Sequence, residues 1–190
     1  MAPPRLSVLT LNLRNLADRW DERLPLLLAE FAALQPDVAG LQEVVYVMQQ
    51  DRLLGASGAG QYEARRGWAG RPEVESLLGW LDGLPQAEAS VVTGDFNAAP
   101  TQPACARMIA AGFRSAFREA NGAEADVTWP SGLIAAAMDT NGDPACLDYV
   151  WVRGAVRTLG ARLCFDRPAV DDPTLFPSDH RGVLVELEVG

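Results

Sequence analysis

A chain of 190 residues with 48% hydrophobic content is long enough for one domain with a substantial core and too short for two. Its net charge of −9, with all sixteen basic residues Arg, gives a surface that repels polyanions and argues against broad electrostatic binding to nucleic acid. Cys105, Cys146 and Cys164 show no CxxC or Cys/His spacing, no apolar run is long enough to span a membrane, and Met1–Arg5 has no leader character, so a cytoplasmic protein with buried thiols is expected.

Leu6–Leu13 is almost continuously apolar, as a central strand buried on both faces would be. Asn12 closes it, a buried amide that must be tied to backbone or turned to a ligand. Leu24, Leu27, Leu28, Phe31 and Leu34 recur at helical spacing between Asp21 and Leu34, with Pro25 near the first turn. Gln35-Pro36-Asp37 breaks that helix, and Val38–Val45 reads as a second strand, completing a strand–helix–strand unit. Glu43 is the acidic residue near its end, either a metal ligand or an exposed surface carboxylate.

Val44–Leu54 continues the pattern as a helix, Gly55–Gly60 is a loop, and Gln61–Trp68 holds one short strand. Val74, Leu77, Leu78, Leu81 and Leu84 form a further helical stripe over Pro72–Leu84, Pro72 suiting its start. The next stretch, Ser90–Pro100, is a buried strand that ends abruptly in Gly94, Asp95, Phe96 and Asn97. In extended backbone Asp95 and Asn97 share a face, offering a carboxylate and an amide to one ligand while Phe96 packs inward. The plainer reading is a strand running into an Asx turn.

Thr101 is placed to cap a helix with Pro103 in its first turn, running to Ala111 and stopped by Gly112. Residues 121–143 read as loop with Thr128 and Trp129 in a short strand, Leu147–Val152 and Val156–Phe165 as strands, and Asp166–Pro177 as a loop. Ser178-Asp179-His180 precedes a last strand, Gly182–Val189. These three neighbours are not a serine-hydrolase triad, because adjacent side chains point apart.

Taken in order, the apolar strand ending in Asn12, LQEV at 41–44, GDFN at 94–97, LDYVWV at 147–152 and SDHRG at 178–182 resemble the endonuclease/exonuclease/phosphatase superfamily. The likeness covers roughly 6–62 and 72–189. It implies an α/β fold, a four-layer sandwich of two mixed sheets packed face to face with helices outside, forming a single domain over residues 1–190. It also implies Mg2+-dependent hydrolysis of phosphoester bonds, of phosphodiesterase, phosphatase or nuclease type, with Mn2+ as the alternative metal.

By the same resemblance Glu43 holds the metal with Asn12 beside it. Asp95 and Asn97 meet the attacking water and the phosphate. His180 acts as general base or orients the nucleophile, with Asp148 orienting its imidazole, and Asp179 assists at the metal or the catalytic hydrogen bonds. Arg14, with Arg65, Arg66 and Arg181, is a candidate phosphate-binding group. The partner is a phosphoester substrate, with the acidic surface favouring a small molecule or lipid headgroup over nucleic acid; oligomeric state is unknown.

The chain departs from the family pattern between Tyr62 and Pro72, where several central strands are missing as if by an internal deletion near residues 69–71. His180 is its only histidine, so the family's second, phosphate-facing histidine is absent. The alternative reading is therefore a shortened, weakly active or inactive relative that keeps the pocket as a metal- and phosphate-binding module.

Overall fold

The computed structural model describes residues 3–45, 74–85, 87–136, 138 and 142–190. The expected helix continuing to Leu54, the loop at 55–60, the strand within 61–68, the break near 69–71 and the side chains of Arg65 and Arg66 lie outside the described residues. In chain order the elements are β1 (Arg5–Asn12), α1 (Trp20–Leu34), β2 (Val38–Gln42), α2 (Val74–Asp82), β3 (Ala89–Asp95), α3 (Pro103–Ala110), β4 (Arg114–Ser115), α4 (Ala116–Asn121), β5 (Asp148–Gly154), β6 (Val156–Cys164) and β7 (Gly182–Val189).

Two sheets result. One has the order β2-β1-β7-β6 and is mixed, with β1 parallel to β2 and antiparallel to β7. The other, β3-β5-β4, is antiparallel throughout its described strands.

Alternation along the strands assigns each face. Val8 of β1, Val150 and Val152 of β5, and Val183, Val185 and Leu187 of β7 meet in one core cluster between the sheets. Leu9, Leu11 and Leu13 take the opposite face of the first sheet and are covered by Trp20, Leu27 and Phe31 of α1. Tyr149 and Trp151 take the outer face of the second sheet, packed with Val74 of α2 and with Cys105 and Met108 of α3. Helix, sheet, sheet and helix therefore stack as four layers, as the sequence leads one to expect.

The sheets come unusually close at one point. A Cβ on Gly40 of β2 would lie 1.9 Å from Thr93 Oγ1 and 2.9 Å from Thr93 Cβ of β3, so only glycine fits there.

Local details differ from the sequence reading. Gln102, not Thr101, is the N-cap of α3, and its Oε1 instead accepts from the Ala99 N–H at 2.8 Å. The two-residue β4 and the six-residue α4 fall in a stretch with no readable period; Ser115 caps α4 by accepting from Arg118 N. No helix among the described residues is long and apolar enough to cross a membrane.

Candidate active site

Antiparallel pairing decides which strand ends share a neighbourhood. The start of β7 lies beside the end of β1, and the start of β5 beside the end of β3. Asn12, Asp95, Asp148 and His180 are thereby brought to one end of the sandwich, on the side where the sheets face each other, and Glu43 follows the adjacent end of β2.

Asp95 and Asp148 are direct cross-strand partners. Two like charges opposite one another in a ladder repel, so a compensating cation is needed. His180 lies between them: its Nδ1 is 2.8 Å from Asp148 Oδ2 and its Nε2 is 3.8 Å from Asp95 Oδ2, too far for a hydrogen bond. These three groups form the one His/Cys/Asp/Glu cluster of metal-binding dimensions among the described residues. One oxygen of that cluster, Asp148 Oδ2, is already engaged by the imidazole.

Asn12 is 2% exposed and joins the two halves. Its Oδ1 accepts from Arg14 N at 2.9 Å, which aims Nδ2 at Glu43 Oε1 (3.2 Å) and Asp95 Oδ2 (3.1 Å). It thus meets both carboxylates as a donor. Asn15, which no pattern in the sequence singles out, donates to Glu43 Oε2 at 3.0 Å.

Asn97 is not on the strand face with Asp95. Its backbone turns left-handed at φ 47, and its N–H returns to Asp95 Oδ1 at 2.8 Å with Nδ2 3.4 Å from Oδ2, so the plainer Asx-turn reading describes the local geometry. Phe96 packs inward, edge-on against Tyr149 and Trp151. Glu43 also sits at positive φ, 53°, a conformation costing a side-chain-bearing residue about 1–2 kcal/mol. Such strain is tolerated where the surroundings fix a residue for use.

Asp179 is held by groups other than the His180 ring. Its Oδ2 receives Trp129 Nε1 at 3.4 Å and lies 3.5 Å from Arg14 Nη1, while Arg14 Nε donates to Asp18 at 2.8 Å. Ser178 serves as a brace, donating to Asn12 O at 2.6 Å and accepting from the His180 N–H at 3.2 Å. Thr128 Oγ1 accepts from the Leu147 and Asp148 N–H groups and so fixes the start of β5. Arg181 turns to Val127 O at 3.3 Å.

Burial pulls the His180 imidazole down, but its hydrogen bond to Asp148 and the charges of Asp148, Asp95 and Asp179 together outweigh burial and raise it to about 9. Burial and the Asp148 charge push Asp95 up, opposed by His180, the Asn97 N–H and Asn12. A histidine raised above its unfolded value of about 6.5 stabilises the fold fully below that pH, and the contribution is lost as pH rises through about 9. In EDTA, the stability difference between wild type and His180→Gln should therefore shrink by about 3 kcal/mol between pH 6 and pH 10 in urea titrations. A difference that stays flat would contradict a raised imidazole.

A match to the endonuclease/exonuclease/phosphatase family spans residues 9–180. The chain belongs to that family. Solved endonuclease/exonuclease/phosphatase structures share its fold at low identity. One from Bacteroides vulgatus is 16% identical, with a TM-score of 0.72 over 98% of this chain and 100% of that one. D. rerio TDP2 complexed with a single strand DNA product is 15% identical, TM-score 0.73, over 97% and 99%. The human Nocturnin catalytic domain with a bound sulfate anion is 19% identical, TM-score 0.71, over 98% and 94%. No curated protein matches the chain.

Proposed function

We propose that this family member is a divalent-metal-dependent phosphoester hydrolase in which water attacks phosphorus. The observation that carries the reading is the Asp148–His180–Asp95 row meeting the Asn12–Glu43 pair at one end of the sandwich.

The donor set fits a hard cation. Glu43 and Asp95 are drawn to the same amide nitrogen, and among the described residues four carboxylates (Glu43, Asp95, Asp148, Asp179) are paired at this end with just Arg14 and His180 in ion-pair contacts. Hard divalent ions take such oxygens. Glu43 would hold Mg2+ or Mn2+ with Asn12 beside it and Asp179 assisting, as the family resemblance implies, and Asp95, which belongs to the cluster of metal-binding dimensions, would add a further oxygen donor. The metal supplies charge neutralisation at the phosphoryl oxygens and orients the phosphate.

The chain's own residues do the rest. Asp148 fixes the tautomer and ring plane of His180 through Nδ1, which leaves Nε2 to take a proton from water near Asp95 in the neutral form, a form that a cation offsetting the Asp95 and Asp179 charges would favour. Asn97 offers an N–H donor, and Arg14 a guanidinium, for phosphate oxygens. Because the surface is acidic, a small phosphoester or a lipid headgroup suits the pocket better than a long nucleic acid. The TDP2 complex with single-strand DNA keeps a short nucleic acid end in the same class. Three buried, unpaired thiols suit a reducing, cytoplasmic setting.

The purified chain should hydrolyse a generic phosphodiester, stop in EDTA, and recover with Mg2+ or Mn2+. Turnover unaffected by EDTA would overturn the mechanism. The single histidine favours a second reading, a weakly active or inactive binding module; calorimetric Mg2+ binding without any turnover would select it.

A further inference from the structure

Arg23 belongs to none of the groups discussed above, yet it is the only arginine that is completely buried among the described residues. It receives no carboxylate. Its five N–H groups instead meet five backbone carbonyls: Nε donates to Asp18 O (2.7 Å), Nη1 to Leu13 O (3.1 Å) and Pro177 O (2.9 Å), and Nη2 to Arg14 O (3.3 Å) and Ala17 O (2.7 Å). A guanidinium has five N–H donors, so every one is used. The ring of Trp20 lies 5.3 Å from the guanidinium carbon.

The carbonyls come from two segments far apart in sequence. Four belong to the loop between β1 and α1, which carries Arg14 and Asn15; the fifth immediately precedes Ser178-Asp179-His180. The loop needs such a clamp. Arg14, Asn15, Asp18 and Arg19 all stand at positive φ, between 37° and 63°, where side-chain-bearing residues are unstable unless their surroundings over-determine them. Such a loop would relax if its carbonyls were released, withdrawing Asn15 from Glu43 and Arg14 from Asp179.

We propose that Arg23 is a positioning residue that locks the Arg14–Asn15 loop and the Ser178–His180 turn into one unit, setting the distance between the Glu43 side of the site and the histidine side. For its kinetic consequences the proposal rests on the phosphoester-hydrolase reading. Its structural core does not.

Arg23→Lys is the direct test, because one ammonium with three donors keeps the charge but cannot serve five carbonyls. The variant should keep its far-UV spectrum and lose Mn2+ affinity by about 10-fold to 100-fold in calorimetry. Its kcat should fall on the order of 100-fold with a smaller change in KM. Wild-type kcat and Mn2+ affinity with only a lowered urea midpoint would reduce Arg23 to a structural residue and overturn the proposal.

Should the lysine variant fail to fold, native-state hydrogen exchange on the wild-type chain can still overturn the proposal. The amides of Arg14 and Ala17, bonded to Asn12 and Asn15, should open together with that of His180, bonded to Ser178. Independent opening of the two segments would overturn the coupling. Absence of both turnover and Mn2+ binding in wild type would sink the hydrolase reading, while the exchange result would still decide the role of Arg23.

Discussion

His180→Ala is expected to lower kcat by about 100-fold to 10,000-fold, the range over which a positioned general base contributes. Asp148→Asn should approach that loss while leaving the histidine in place. The asparagine either offers N–H to Nδ1 or a neutral oxygen, so the ring loses the partner that fixes its tautomer and supports its charge at 2.8 Å. The double variant should be hardly worse than His180→Ala alone, since the two act as one unit. Additive losses measured by steady-state kinetics at saturating Mg2+ would mean that Asp148 works independently of the imidazole.

The largest loss of stability is expected behind the site, at Trp151. It is 1% exposed, stacks on Tyr149 with ring centroids 5.1 Å apart and meets Phe96 edge-on at 6.0 Å. Trp151→Ala should cost about 3–5 kcal/mol, a large part of the stability of a typical domain. The indole Nε1 is buried and finds no acceptor among the described residues. Trp151→Phe should therefore cost less than half as much, because it also removes a buried donor whose desolvation penalty is about 1–3 kcal/mol. Urea midpoints at unchanged m-value measure both. Equal losses in the two variants would show that the ring volume alone matters.

How much of this was legible in the sequence depends on what each residue's neighbours are. Asn12, Asp95 and His180 stand where apolar strands begin or end, so periodicity marks them as strand-end groups; Asp148 is pointed to by the family resemblance, and β pairing collects all four. The layer order came from the family resemblance, and the alternation along the strands agrees with it. Asn97 was misplaced because a strand is read as continuing until something stops it, and the left-handed turn at Asn97 leaves only Gly, Asp and Asn as its trace.

Arg23 was overlooked although it lies four residues before Leu27 and eight before Phe31, squarely on the buried stripe of α1. A charged residue on an apolar stripe carries no sign of its partners, and the folded loop alone brings the five carbonyls to it. Asn15 had no signal at all, since its partner Glu43 lies 28 residues away, just past the end of β2. β4 and α4 are too short for any period to emerge.

Gly40 has a bearing on chemistry that its place in β2 does not suggest. It is a spacer of zero thickness: the contact with Thr93 sets how near the two sheets lie, and Glu43 follows three residues after one side of that contact while Asp95 follows two after the other. A single methyl group at Gly40 would act as a wedge, prising the sandwich open from its working end. The missing side chain thereby gauges the gap between Glu43 and Asp95, the two carboxylates proposed to share one ion.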